Sequence, residues 1–295
     1  MTTTYDTEVR FRGLSFGEAP RWHDGRLWYS DFYRHSVCSL GDDGERVEHR
    51  FDDQPSGLGW RADGTLLVIS MAAHQILAVG PDGDVRVHAE LRGHCGHLAN
   101  DMVVAADGTA YAGSFGFDLD EAAAGDGIFA LADPANVPST ELVVVAPDGS
   151  ILQTVPEMLF PNGCALSEDG ATLIVAETFG QRLSAFDVAA DGTVSNRRTF
   201  AQFQLVFPDG ICLDAEGQVW LANGASPQCL RVAEGGEVTA TVSSSQPAYA
   251  CMLGGDTGRD LFVLTAPSST ASAVRDRRDG RVEVARVDVA RAGRP

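Results

Sequence analysis

"FPNGCALSEDGATLIVAE" occupies residues 160–177, and "FPDGICLDAEGQVWLAN" occupies residues 207–223. The two stretches share, in one register, an opening tetrapeptide that differs only at Asn162 against Asp209, an apolar run, an acidic-Gly pair and a second apolar run. An acidic residue followed by Gly between apolar runs marks a tight hairpin, because Gly accepts the positive φ that the turn needs. The same form recurs as "HDGRLWYSD", "ADGTLLVIS", "ADGTAYAGS" and, more loosely, "DTGRDLFVLT". Its turn glycines are Gly25, Gly64, Gly108, Gly170, Gly217 and Gly258. A second series interleaves with the first and places turns at Gly44, Gly83, Gly149, Gly192 and Gly236. Two hairpins per cycle make four strands, and cycles of roughly 40–45 residues are the signature of propeller blades. The expected fold is all-β: a six-bladed β-propeller with four-stranded blades, forming one domain over residues 1–295.

The sixth cycle lacks a clean second hairpin. Its last strand candidate is "RVEVARVDV" at 281–289, while "TEVRFRG" at 7–13 has no partner in the first blade. The N-terminal strand is therefore expected to become the outer strand of the last blade, which closes the ring and removes an exposed edge. The third cycle is too long, and the surplus lies within residues 114–140. Long loops in compact folds are often functional, so this insertion is a candidate lid over one mouth, with a structural insertion as the alternative.

Composition narrows the function classes. The chain has 295 residues, 44% of them hydrophobic and 21% charged, with a net charge of −19. An acidic surface repels phosphate backbones, so nucleic acid is not an expected partner. No apolar run reaches the ~18 residues of a membrane-spanning helix, so no membrane partner is expected. The start of the chain shows no basic region followed by an apolar one, and predicts a cytosolic address. None of the six cysteines forms a C-x-x-C pair. Buried free thiols are the expectation in a reducing compartment. Oligomeric state is not legible from these features.

Inner strands line the channel of a propeller. Reading eight residues back from each turn glycine gives Ser56, Asn100, Asn162, Asp209 and Ala250 in blades two to six. Blade one gives Gly17, with Glu18 one place later. Carboxylates and amide oxygens converging in a narrow channel are costly if left unpaired. A divalent cation removes that cost, and an oxygen-rich set suits calcium first, then magnesium or manganese, with zinc also possible. Pro161 and Pro208 stiffen the backbone before Asn162 and Asp209, and Gly163 and Gly210 are expected to let the chain turn sharply after them.

These motifs, with "GEAPRW" at 17–22 and "ANDMVVAADGTAYAGSF" at 99–115, resemble the gluconolactonase, senescence marker protein (regucalcin) and luciferin-regenerating enzyme family. The resemblance implies a six-bladed propeller holding one divalent metal on Glu18, Asn162 and Asp209, with Asn100 on the metal or on a substrate oxygen. It also implies a small-molecule substrate and a lactonase, a carboxylic ester hydrolase in which the metal polarises the lactone carbonyl and Asp209 is the candidate base. The same ligands would serve isomerase, hydratase or lyase chemistry, or a non-catalytic calcium-binding propeller. Sugar-lactone members often carry Arg two residues before the Asn matching Asn100; here that place is Leu98. With Phe115, Phe117 and Phe179 expected near the lid and mouth, a substrate less polar than a free aldonolactone is the expectation, with core packing as the rival role for these rings. His97 is a candidate to face the pocket, with surface or packing duty as its alternative. Asp101 follows Asn100 and is expected to point away from the site, in a supporting role.

Overall fold

The computed structural model describes residues 2–124 and 127–295. Its strands form six sheets in chain order around a common axis. The inner strands are Gly17–His23, Pro55–Trp60, Ala99–Val104, Pro161–Leu166, Pro208–Asp214 and Ala248–Gly254. In blades one to five, three further antiparallel strands follow outward in sequence. Every glycine assigned to a hairpin turn has a positive φ, from Gly258 at +67° to Gly44 at +99°. The hairpin repeat is thus a repeat of left-handed turn positions, which L side chains occupy only at a cost.

Blade six is closed by the N-terminal segment. Glu8–Leu14 pairs antiparallel with Gly280–Arg286 and supplies the outer strand. The sequence does not foretell two further ties. Thr3–Asp6 pairs in parallel with Val238–Ser243, the outer strand of blade five. At the other end of the chain, Arg291–Ala292 pairs with Leu213 and Asp214, and Arg294 bridges to Leu166. The two chain ends therefore fasten three consecutive blades.

The core lies between neighbouring blades. Val103, Tyr111 and Leu142 of blade three meet Cys164, Val175 and Phe186 of blade four in one buried cluster. Ala165, Ile174 and Leu183 of blade four meet Ile211, Leu221 and Leu230 of blade five in another. Strand alternation sends successive side chains to opposite faces, so each blade packs on both sides. Fully burying each large aliphatic or aromatic side chain contributes about 1.5–3 kcal/mol. Five of the six cysteines are buried thiols and all six are free.

Inner strands approach one another so closely that glycine is required. A Cβ on Gly163 would lie 2.5 Å from the Asp209 carbonyl oxygen, and one on Gly210 would lie 2.6 Å from Ala250 Cβ. Neither glycine has a positive φ. This corrects the expected sharp turns: the two Pro-x-Gly segments lie inside strands, and their glycines serve close backbone approach.

The insertion of blade three folds as the short helices Leu119–Ala124 and Gly127–Ala130 and a 3-10 turn, Pro134–Asn136. Residues 125 and 126 of this candidate lid lie outside the described residues. Among the described residues, no helix is long and apolar enough to cross a membrane.

Candidate active site

Each inner strand is irregular near its start. The pairing register shifts between Glu18 and Arg21, Pro55 and Leu58, Ala99 and Met102, Pro161 and Cys164, Pro208 and Ile211, and Ala248 and Ala250. A bulge bends the strand and re-aims side chains. Here the device recurs around the axis and puts Ser56, Asn100, Asn162 and Asp209 inside the irregular segments of blades two to five. In blade one Glu18 opens the segment, and Ala19 beside it is held at φ +48°. Phe160, which precedes Pro161, is held at φ +63°. Strained backbone flanking two candidate ligands fits a functional site.

Glu18, Asn100, Asn162 and Asp209 line one cavity of about 470 Å³. All four are buried. Blade six corrects the expected ring: Tyr249, not Ala250, lies inside its irregular segment and lines the cavity. That segment is shorter than in blades two to five and regular pairing already begins at Ala250, so counting eight back from Gly258 stops one residue short of Tyr249. Ala250 is fully buried against Gly210.

The base of the cavity brings together two buried carboxyl groups, Glu18 and Asp209. Among the described residues, Glu18 Oε2 accepts only the N–H of Ala19, at 3.1 Å. Among the described residues, Asp209 Oδ1 is buried without a hydrogen-bond partner. Burial, joined by the charges of Asp209 and Asp101, pushes the Glu18 carboxyl well above the usual carboxylate range. Burial and the Asp101 charge raise Asp209 in the same way. A cation between them would satisfy the orphaned oxygen and cancel the repulsion. Among the described residues no three His, Cys, Asp or Glu side chains cluster to hold a metal. The donors that fit one are two carboxylates and the amide oxygens of Asn162 and Asn100, a hard oxygen set. Asn162 Nδ2 donates to Thr178 Oγ1 at 3.1 Å, which leaves the amide oxygen toward the cavity; that hydroxyl donates onward to Pro208 O at 2.8 Å.

Beneath this base lies a buried ion pair that sequence reasoning half missed. Asp101, placed there in a supporting role, accepts from Arg21 Nη2 at 2.8 Å, with both side chains nearly inaccessible. Arg21 also donates to Leu58 O, Pro20 O and Met102 O, so one guanidinium ties blades one, two and three. The available signal was an Arg in the otherwise apolar strand motif "EAPRW".

The walls are aromatic on two sides. Phe16 packs on Phe32 and Tyr249 at 5.3 and 4.8 Å on the side of blades one and six. Phe115 stacks on Phe160 at 4.3 Å, and Phe179 meets Phe160 and Phe207 at 5.4 and 5.8 Å, on the side of blades three to five. Phe115 and Phe179 line the cavity. Phe117 does not; its ring packs behind the wall against Phe160 and Phe179. Leu98 also lines the cavity, an apolar side chain where sugar-lactone relatives often present Arg. His97 lies at the rim, with Nε2 3.7 Å from Asp118 Oδ2 of the insertion. Gly224 also lines the cavity and leaves room beside Asp209, because a Cβ there would stand 3.2 Å from Oδ2.

Comparison with known proteins agrees with the propeller fold. Regucalcin from Xenopus laevis is 30% identical over 130 residues, which span 42% of this chain and 44% of that protein. Regucalcin from Danio rerio is 23% identical over 257 residues, covering 85% of this chain and 82% of that protein. The crystal structure of regucalcin from Agrobacterium tumefaciens, described as a calcium-binding protein, superposes with a TM-score of 0.80 at 19% identity, over 100% of this chain and 99% of that one. A gluconolactonase from Xanthomonas campestris superposes with a TM-score of 0.73 at 22% identity, over 95% and 89%. Residues 16–267 match the SMP-30/Gluconolactonase/LRE-like region, and the chain belongs to that family.

Proposed function

We propose that this protein is a metal-dependent hydrolase that opens a lactone less polar than a free aldonolactone. The observation that carries the reading is the buried Asp209 oxygen, partnerless among the described residues, set with Glu18 in a cavity with aromatic walls. Glu18, Asn162 and Asp209 would hold one divalent ion, calcium by the hardness of the donors. When bound, such an ion would polarise the lactone carbonyl. Asn100 supplies an amide to orient a substrate oxygen. Asp209 takes a proton from water as the water oxygen adds to the carbonyl carbon. The ring C–O bond then breaks, the ring oxygen receives the proton, and a hydroxy acid leaves. The aromatic walls keep bulk water from the reacting centre, which strengthens every polar contact inside.

Chelation is expected to abolish lactonase activity, and calcium, manganese, magnesium or zinc add-back to restore it to differing degrees. Full turnover by the metal-free protein would defeat the metal assignment. Asp209→Asn is expected to keep the fold and to lower kcat by about 10²–10⁴-fold, the usual weight of a general base.

A further inference from the structure

Among the described residues, the two most exposed large apolar side chains are Phe129, 79% exposed, and Leu205, 70% exposed. Both line the same cavity as Glu18 and Asp209. They come from different parts of the chain. Phe129 sits on the helix Gly127–Ala130 of the blade-three insertion, and Leu205 on the connection between blades four and five. Exposing such side chains forgoes the gain of burial, and their meeting at a cavity mouth marks a contact surface.

The fold holds Leu205 there at a cost. Leu205 stands at φ +57°, a left-handed conformation that a branched, non-glycine residue seldom adopts. Its N–H donates to Gln181 Oε1 at 2.6 Å. Gln181 is buried and itself at φ +51°. Its Nε2 donates to Ala132 O of the insertion at 2.7 Å. One strained, buried glutamine thus fastens both sides of the mouth. The insertion is tied again on its far side, where Ala271 N–H of blade six donates to Asp120 Oδ1 at 2.8 Å. Strain and the buried brace act on Leu205 directly, and the same glutamine anchors the insertion at Ala132, three residues from the exposed Phe129.

The geometry points to a substrate that carries an extended apolar arm, alkyl or aryl, running from the base between the two aromatic walls and ending between Phe129 and Leu205. The reacting ring of that substrate rests on the lactonase reading; the arm rests on the rim alone. Phe129 and Leu205 supply apolar surface that a polyhydroxylated ring could not use, since each buried hydroxyl needs a partner, while Asp118, Asp120 and Arg275 line the cavity beside them. An arm of this kind covers Phe129 and Leu205 and recovers the burial that folding leaves undone.

Calorimetric binding of non-hydrolysable lactams with arms from butyl to dodecyl tests this, run beside hydrolysis of the matching lactones. Affinity is expected to rise about fourfold per buried methylene. Phe129→Asn and Leu205→Asn are expected to cut the increment of the outermost methylenes to near unity. Leu205→Gly is expected to do the same without lowering the melting temperature, because glycine relieves the left-handed strain. Phenyl-tipped arms tell aryl from alkyl preference. Affinity independent of arm length, or increments untouched by both Asn variants, would overturn the inference, even if sugar lactones are hydrolysed. Length-dependent binding with no lactone turnover would uphold the arm site and defeat the lactonase reading.

Discussion

Asp209 sets the charge balance at the base of the channel. Without a cation its carboxyl is buried, burial with the Asp101 charge disfavours its ionisation, and its own charge disfavours ionisation of Glu18. Asp209→Asn keeps the shape and removes that repulsion. Scanning calorimetry with chelator is expected to show the metal-free variant melting a few degrees above the metal-free wild type. With divalent ion present, the order is expected to reverse, because only the wild type gains from binding. A metal-free variant that melts lower would show that repulsion at Asp209 is not the dominant effect. Arg21 poses the opposite case. Arg21→Met strands the Asp101 carboxylate in a buried place and cuts the ties to Leu58, Pro20 and Met102. Breaking one side of a buried pair costs about 3–5 kcal/mol, which urea unfolding reads directly.

Single strands explain why the ligand motif ends in glycine. Gly163→Ala would drive a methyl group into the Asp209 carbonyl oxygen and Ile211 N, which are backbone atoms and cannot swing aside. It is expected to cost about 1–3 kcal/mol by overpacking and to lower metal affinity by displacing Asp209. Blade four carries a second electrostatic element. Glu177, at the end of Thr172–Glu177, accepts from Arg182 Nε and Nη2 at 2.8 Å and from Arg197 Nη2 at 2.7 Å. Burial pushes its carboxyl up, but hydrogen bonds from Arg182 and Ser184 with both arginine charges outweigh this, and the net direction is down. A carboxyl lowered in the folded state stabilises the protein above its unfolded value of about 4.5. That contribution is lost as pH falls through the lower folded value. Unfolding midpoints of wild type and Glu177→Gln are therefore expected to converge below about pH 4.5 and to separate at neutral pH; a constant gap across that range would contradict the linkage.

At the scale of the whole molecule, closure depends on the chain ends. Removing residues 2–14 takes away the outer strand of blade six and the parallel strand on blade five. The bare edges of Gly280–Arg286 and Val238–Ser243 are then open to pairing with other chains. The truncated protein is expected to aggregate on heating well below the wild-type melting temperature, as light scattering would show. The central ring explains how far such a fold is legible from letters alone. Gly25 through Gly258 each announce a turn locally, so blade count, strand count and closure follow from spacing. Asn100, Asn162 and Asp209 share a distance from their turns, so their convergence follows as well. Ala250 fails this reasoning because blade six is short by a residue at its irregular segment, and spacing carries no record of a bulge.

Sequence by itself determined what is local and periodic: the hairpin turns, the six cycles, the repeated start of each inner strand and the oxygen-bearing side chains placed there. Period and turn chemistry are properties of neighbouring residues, so they survive in the letters. Tertiary structure alone decided what depends on contacts between distant segments. It brought Arg21 to Asp101, put Tyr249 in the cavity, moved Phe117 behind its wall, and used Gly163 and Gly210 for close approach. It also set Phe129 and Leu205 at one mouth, held by Gln181 from a third place in the chain. Such meetings are fixed by the packing of blade on blade, which no spacing along one strand contains.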